Sequence, residues 1–332
     1  MSLLELRGVT VRYRQPGAKA RMLAAVDSVQ LAVGEREMLG LVGESGCGKT
    51  TLGRAILGLV PLAAGEVRWR GQRIDDLGRR AFRPLRRELQ CVFQDPHACF
   101  DPRMTVAESV AEPLRALERG LAAAARERRA IERLEEVGLG RELAERYPHQ
   151  LSGGQLQRAG IARALVVDPA FVVCDEPVSA LDVSVQGQIV ELLERIRAGR
   201  GLASLFISHN LAVVARLCAR VTVMYRGRIV EAGPRGQIVG QPLHPYTREL
   251  LDAVPGIDAG ARARLLARAA NARPARDTGA GADGCAYAAR CPHALARCRA
   301  ERPPLRPGPD GRQVACHRAE EWPGGLPPAP AV

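Results

Sequence analysis

The chain has 332 residues, 46% of them hydrophobic and 25% charged, enough for one large or two moderate domains with ample core. Its mean hydropathy of −0.10 reads as soluble and globular. No apolar run nears the roughly 18 residues that would cross a bilayer, and Met1 to Glu5 shows no basic start followed by an apolar stretch, so a cytoplasmic protein is expected. The net charge of +12 would suit nucleic acid or an anionic membrane face. Nearly all of it is arginine spread along the chain, with lysine only at Lys19 and Lys49, which reads as composition rather than as a binding surface.

Leu3 to Tyr13 alternates and carries Val9, Val11 and Tyr13, predicting a strand; Gln15 to Ala20 reads as a loop. Met38 to Val42 predicts a buried strand and Lys49 to Leu59 a helix. Gly65 to Arg70 and Gln90 to Phe93 are further strand candidates. From Thr105 to Arg146 the chain is rich in Ala, Glu, Arg and Leu at helical spacing, predicting a helical insert that Pro148 and Ser152-Gly153-Gly154 end. Helix resumes from Gln155 to about Val166. Then follow a buried strand at Phe171 to Asp175, a helix at Val183 to Arg197, a strand at Ala203 to Ser208, a helix at Leu211 to Leu217 and a strand at Val221 to Tyr225. This alternation implies a largely parallel sheet covered on both faces. His244 to Val254 reads as a helix, Gly256 to Asp283 as a mobile linker and Trp322 to Val332 as a disordered tail.

Three motifs carry chemistry. Gly43-Glu44-Ser45-Gly46-Cys47-Gly48-Lys49-Thr50 is a complete phosphate-binding loop between a predicted strand and a predicted helix. Its glycines let backbone amides close on phosphate oxygens, Lys49 can reach the β and γ phosphates, and Thr50, followed by Thr51, can ligate Mg²⁺. The apolar strand ending in Asp175-Glu176 supplies a carboxylate for Mg²⁺ and a second to polarise an attacking water. Leu151-Ser152-Gly153-Gly154-Gln155 places a serine and glycine amides at a helix N-terminus, a second anion site. One nucleotide does not need two γ-phosphate sites in one chain, so this motif implies a neighbouring subunit whose ATP closes against it.

With these motifs the chain resembles the ATP-binding subunits of ABC transporters over roughly residues 3 to 250. The resemblance implies a P-loop α/β ATPase with a mainly parallel sheet, an N-terminal antiparallel β subdomain and a helical insert at about 95–165. It implies that Tyr13 stacks on adenine and that Gln94 binds Mg²⁺ and links the γ-phosphate site to the membrane partner. It further implies that Asp182, in Ser179-Ala180-Leu181-Asp182, lies in the loop crossing the dimer interface and that His209 contacts the γ-phosphate. Asn210 departs from the acid common there. The bland readings are an edge aromatic for Tyr13, a polar strand end for Gln94, a helix cap for Asp182 and a structural role for His209.

Cys174 to Ser184, Asp101 to Val106 and Pro242 to Thr247 look like the oligopeptide and dipeptide permease branch. That resemblance implies ATP hydrolysis driving peptide import by a peripheral subunit on the cytoplasmic face of the inner membrane. Its partners would be two integral membrane permeases, a second ATPase subunit of the same or a sister chain and, indirectly, an extracytoplasmic peptide-binding protein, with no nucleic acid. Nickel chelates or glutathione remain open as cargo. The rivals are a soluble ATPase of the same class acting on nucleic acid or ribosomes, and a regulatory subunit that binds ATP without hydrolysis. The first is opposed by the lack of a long coiled-coil insert, the second by an intact Glu176 and His209.

Of nine cysteines, Cys47, Cys91, Cys99, Cys174 and Cys218 are scattered and read mostly as small core hydrophobes. Cys285, Cys291, Cys298 and Cys316 cluster in a Cys-containing extension at 285–320, beyond a linker at 251–284 and before a tail at 321–332. Four thiolates suit tetrahedral Zn²⁺ or a [4Fe–4S] cluster, with His293 and His317 as substitutes. The spacing chooses neither; the resemblance implies an iron–sulfur cluster in at least some members of the branch, with zinc or no stable metal as the alternatives.

Overall fold

The computed structural model describes residues 2–14, 22–253, 284–308, 310–322 and 326. The predicted loop at 15–20, the predicted linker at 256–283 and most of the predicted tail lie outside these residues.

Two sheets stack on each other. The first is antiparallel, in the order β2-β1-β4-β5, built from β1 (Ser2–Arg14), β2 (Met22–Gly34), β4 (Ala64–Trp69) and β5 (Gln72–Arg73). The second has eight strands, ordered β11-β12-β10-β9-β3-β8-β7-β6. Its parallel part is β9 (Arg220–Tyr225), β3 (Met38–Val42), β8 (Ala203–Ser208), β7 (Phe171–Asp175) and β6 (Leu89–Val92). β10 (Arg228–Pro234), β12 (Gln313–Val314) and β11 (Arg306–Pro307) extend it antiparallel at one edge.

β3, β7 and β8 are buried along their whole length, and their side chains divide between two cores. Leu39, Leu41, Phe171, Val173, Leu205 and Ile207 face the antiparallel sheet and α1 (Lys49–Ile56). Met38, Val42, Val172, Cys174 and Phe206 face the helices α4 (Val106–Leu117), α5 (Ala123–Glu136), α7 (Gly153–Leu165), α8 (Val183–Arg200) and α9 (Leu211–Leu217). A strand apolar on both faces fits only between two such layers. Short helices α2 (Arg79–Phe82), α3 (Leu85–Glu88), α6 (Arg141–Ala144), α10 (Arg235–Gly240) and α11 (Pro245–Asp252) fill the connections.

Two features differ from the sequence reading, and a third adds to it. The helix from Lys49 ends at Ile56 rather than Leu59, because Gly58 turns the chain at φ +63°. β2 was not foreseen; its alternation at Val29, Leu31 and Val33 is interrupted upstream by Ala24, Ala25 and Asp27. The cysteine-bearing extension joins the main sheet: β12 pairs with β10 through Glu231–Val314 and Ala232–Gln313. Arg312, 1% exposed at its side chain, reaches the wholly buried Glu231 at 3.4 Å and also bonds Asp310 and the carbonyls of Gln237 and Gln241.

Candidate nucleotide site

The loop between β3 and α1 opens at the C-terminal end of a parallel strand inside the sheet, where open α/β sheets place their ligands. Two glycines there are required by contact. A Cβ on Gly43 would lie 2.2 Å from the Met224 carbonyl oxygen. One on Gly48, at φ +107°, would lie 2.1 Å from the Ala25 carbonyl oxygen. The second contact shows that β2 runs directly against the loop. Tyr13, paired with Leu23 two residues from Ala25, is carried to the same end of the molecule and is 40% exposed.

Lys49 is 3% exposed and donates to the carbonyls of Gly43 (2.8 Å) and Glu44 (2.9 Å). Its Nζ is 3.7 Å from Glu176 Oε1. Thr50 Oγ1 donates to Asp175 Oδ1 at 3.0 Å. Burial pushes the Asp175 carboxyl up, against the pull of Thr50 and of the Arg54 and Lys49 charges. A buried carboxylate beside a hydroxyl is a hard-oxygen pair of the kind Mg²⁺ takes. Ser45 and Gly46 lie exposed at the loop tip, and Thr51 is half-buried in α1.

Glu176 is the meeting point. Its Oε2 is 3.1 Å from His209 Nδ1 and accepts from Gln94 Nε2 at 3.4 Å. Its N–H donates to Ile207 O on the neighbouring strand, and its φ of +46° is left-handed. Such a conformation costs a non-glycine residue about 1–3 kcal/mol and persists where the surroundings hold it. Gln94 follows β6, Glu176 follows β7 and His209 follows β8, so three adjacent parallel strands deliver the trio.

Comparison with known proteins decides the family. Residues 26–179 match the ABC transporter family, and residues 230–298 match the oligopeptide/dipeptide transporter C-terminal region. A peptide import ATP-binding protein of Brucella melitensis is 46% identical over 94% of this chain and 81% of its own length. An oligopeptide transport ATP-binding protein of Bacillus subtilis is 42% identical over 96% and 95%. Among solved structures, the ATP-binding cassette MJ0796, a dimer in a post-hydrolysis state with ADP and Pi, superposes with a TM-score of 0.64 at 30% identity, covering 70% of this chain and 98% of that one.

The chain belongs to the ABC transporter ATPase family.

In this ABC ATPase, Ser152 caps α7 by accepting from Gln155 N–H (3.3 Å), while Gln155 Oε1 accepts from Ser152 N–H (2.9 Å). Ser152 and Gly153 are exposed, and among the described residues no hydrogen bond joins Ser152 to Gln155 with the phosphate loop. Asp182 precedes α8 and is exposed, but its side chain makes no capping bond. Gln94 gives its amide to Glu176.

The four C-terminal cysteines are brought together. Cys285, Cys291, Cys298 and Cys316 line one cavity of about 20 Å³, with His293, His317 and Trp322. Cys285 N–H donates to Cys298 O at 2.8 Å, Cys298 sits in α12 (Ala296–Ala300), and Cys316 follows β12. Burial raises the Cys285 thiol and pushes Cys291 up to about 11 and Cys316 up to about 12, and neighbouring thiols add to the rise. Among the described residues no three His, Cys, Asp or Glu side chains converge as they would on one metal ion. A four-thiol donor set nonetheless suits iron–sulfur or zinc chemistry, and a cluster bound at its corners asks for thiols ranged round a cavity.

Two contacts to the loop had no signal in the sequence. Tyr246 OH accepts from the Glu44 N–H at 2.7 Å. Arg290 forks onto the Glu44 carboxylate at 2.9 and 3.0 Å.

Proposed function

We propose that this chain is the ATP-hydrolysing subunit of an ABC importer for dipeptides or oligopeptides. The observation that carries the reading is the convergence of Lys49, Thr50, Asp175, Glu176, His209 and Gln94 at one end of the parallel sheet. The C-terminal match to the oligopeptide/dipeptide transporter region and the relatives named for peptide import support the cargo.

In this reading residues 1–250 form the cassette. Lys49 and the loop amides hold the phosphates, Tyr13 stacks on adenine, and Thr50 and Asp175, joined by Gln94 once nucleotide draws its amide from Glu176, hold the metal. Mg²⁺ would supply neutralisation of charge on the transferring phosphoryl group. Glu176 accepts the proton of the attacking water, and His209 fixes its carboxylate and meets the γ-phosphate. Ser152, Gly153, Gly154 and Gln155 complete the site of a second ATPase subunit, across an interface that Asp182 lines.

Beside Gln94 lies a groove of about 300 Å³ walled by Leu57, Leu59, Phe93, Pro113 and Leu117. Leu59 is 47% and Phe93 41% exposed, and such an apolar groove suits a helix of a permease subunit. Among the described residues no helix is long and apolar enough to cross a membrane, in keeping with a peripheral subunit that two integral permeases hold at the cytoplasmic face. The four cysteines at 285–316 would hold a [4Fe–4S] cluster, or Zn²⁺ in its place.

Coexpression with its permeases tests the reading. The chain should cofractionate with membranes through them, and peptide with its binding protein should stimulate ATP turnover in vesicles. ATP turnover that no peptide alters would reject the cargo. Iron and acid-labile sulfide measured on anaerobically purified protein test the cluster; an iron-free, fully folded preparation would remove it.

A further inference from the structure

Every polar handle of Glu44 in the phosphate loop is taken. Its carbonyl accepts from Lys49 at 2.9 Å, its N–H donates to Tyr246 OH at 2.7 Å, and its carboxylate is forked by Arg290 at 2.9 and 3.0 Å. Lys49 belongs to the loop itself, but Tyr246 stands on α11 and Arg290 in the cysteine-bearing segment, 246 residues beyond Glu44. Both are firmly placed. Tyr246 is fully buried and tilts against Tyr225 with ring centroids 4.5 Å apart. The Arg290 guanidinium lies over the rings of Tyr225 (5.9 Å) and Tyr287 (5.7 Å) and is also held by the carboxylate of Glu249, on α11, which accepts from Tyr287 OH as well. The N–H groups of Arg290 and Cys291 both donate to Tyr287 O (3.0 Å each), so a closed turn fixes the backbone beneath the guanidinium.

We infer that Arg290 is a positioning residue for nucleotide binding: from the C-terminal segment it holds Glu44, and through Glu44 the entry of the phosphate loop, in the shape that takes a polyphosphate. The inference rests on the reading of Gly43 to Thr50 as the nucleotide site. A loop that populates its binding shape only part of the time binds more weakly by that fraction, and the fork together with Tyr246 removes this freedom at the loop's second residue. The Glu44 carboxylate also sits in a loop that must accept an anion, and the guanidinium offsets its charge. A lysine at this position would offset the charge but, as a point charge, would not fix a direction. The two side chains are 42% and 30% exposed, and a free surface pair of that kind is worth little. Arg290 differs because Glu249 and two rings already hold it, so little ordering is left to offset the fork.

The test measures binding of a fluorescent ATP analogue to the purified full chain in excess Mg²⁺. Arg290→Gln should weaken binding about ten-fold, the worth of one hydrogen bond to a charged group. Arg290→Lys should fall between that variant and the wild type. Glu249→Gln, which loosens the guanidinium from its other side, should weaken binding in the same direction and by less. The double variant Arg290→Gln/Glu249→Gln should bind no worse than Arg290→Gln alone, because Glu249 reaches the loop only through Arg290, whereas general damage to the fold would add. In the transporter assembled with its permeases, the Arg290→Gln KM for ATP should rise by the same factor while kcat stays within about two-fold, because the fork serves the bound nucleotide before and during hydrolysis alike. Should Arg290→Gln fail to fold, Arg290→Lys and Glu249→Gln carry the test, and wild-type affinity in both would reject it. Wild-type affinity in Arg290→Gln, full affinity in Arg290→Lys, a double variant in which the two losses add, or a fall in kcat with KM unmoved would each overturn the inference while the loop stands as the nucleotide site. A wild-type chain that binds no nucleotide would overturn the reading of the loop and the inference with it.

Discussion

Glu176 and His209 follow different strands, yet Oε2 of the one stands 3.1 Å from Nδ1 of the other, and the glutamate takes a left-handed backbone to be there. Glu176→Gln keeps the shape and removes the proton acceptor. Hydrolysis should fall at least about 100-fold, the usual size of a general-base contribution, while nucleotide binding persists and the nucleotide-bound pair accumulates. Filter binding and gel filtration with ATP measure both; turnover at the wild-type rate would mean that the base lies elsewhere. His209→Ala should slow hydrolysis with equally little effect on binding.

Ser152 is exposed, and its side chain bonds Gln155 in the cap of α7 and nothing in the phosphate loop among the described residues. Ser152→Arg should therefore cost the chain no more than about 1 kcal/mol, the worth of a helix cap. ATP binding to the single chain should be unchanged, while ATP-dependent pairing and turnover are lost. Sedimentation with and without ATP reads the first, phosphate release the second. Full turnover in this variant would remove the shared site.

Arg312 and Glu231 form a pair with side chains 1% and 0% exposed. Arg312→Ala leaves a carboxylate buried against burial that already raises its pKa, and should destabilise the chain by about 3–5 kcal/mol. Urea unfolding measures the loss. Limited proteolysis should cut the variant first near β12, because that strand loses its anchor to β10.

His244 is 1% exposed, and burial pushes its imidazole down to about 3 from the ordinary 6.5. The unfolded chain therefore binds a proton that the folded chain refuses, and stability contributed here is complete above pH 6.5 and lost as pH falls towards 3. Nδ1 also accepts from Tyr246 N–H to cap α11, a bond an asparagine can replace. His244→Asn should flatten the stability slope in that window by up to roughly 1.4 kcal/mol per pH unit, the value for one proton. Urea titrations at stepped pH compare the two slopes. Buried Glu231 titrates in the opposite sense in both proteins, so the difference between them isolates the histidine.

What could be read from the residues was local. β3, β7 and β8 sit where their apolar runs place them, because a strand buried on both faces needs no partner to announce itself. The phosphate loop and Asp175-Glu176 were legible because their chemistry lies in consecutive residues. β10 was not, because Glu231 breaks its apolar pattern, and the groups that make a carboxylate tolerable there, the N–H groups of Leu243 and His244 and the Arg312 guanidinium, come from 12 to 81 residues on. The fork from Arg290 to Glu44 was invisible for the same reason: neither residue is unusual until the fold joins them.

β12 lies along β10 and, with β11 beyond it, covers that side of the eight-stranded sheet. A cassette trimmed at residue 253 would therefore keep Gln94, Glu176 and His209 together but present a raw margin of unmet N–H and C=O groups, ready to zip onto any neighbouring chain. Anyone shortening this protein for crystallisation or fusion should expect clumping rather than a leaner enzyme, unless a lysine or proline is written into β10 to blunt the newly bared rim.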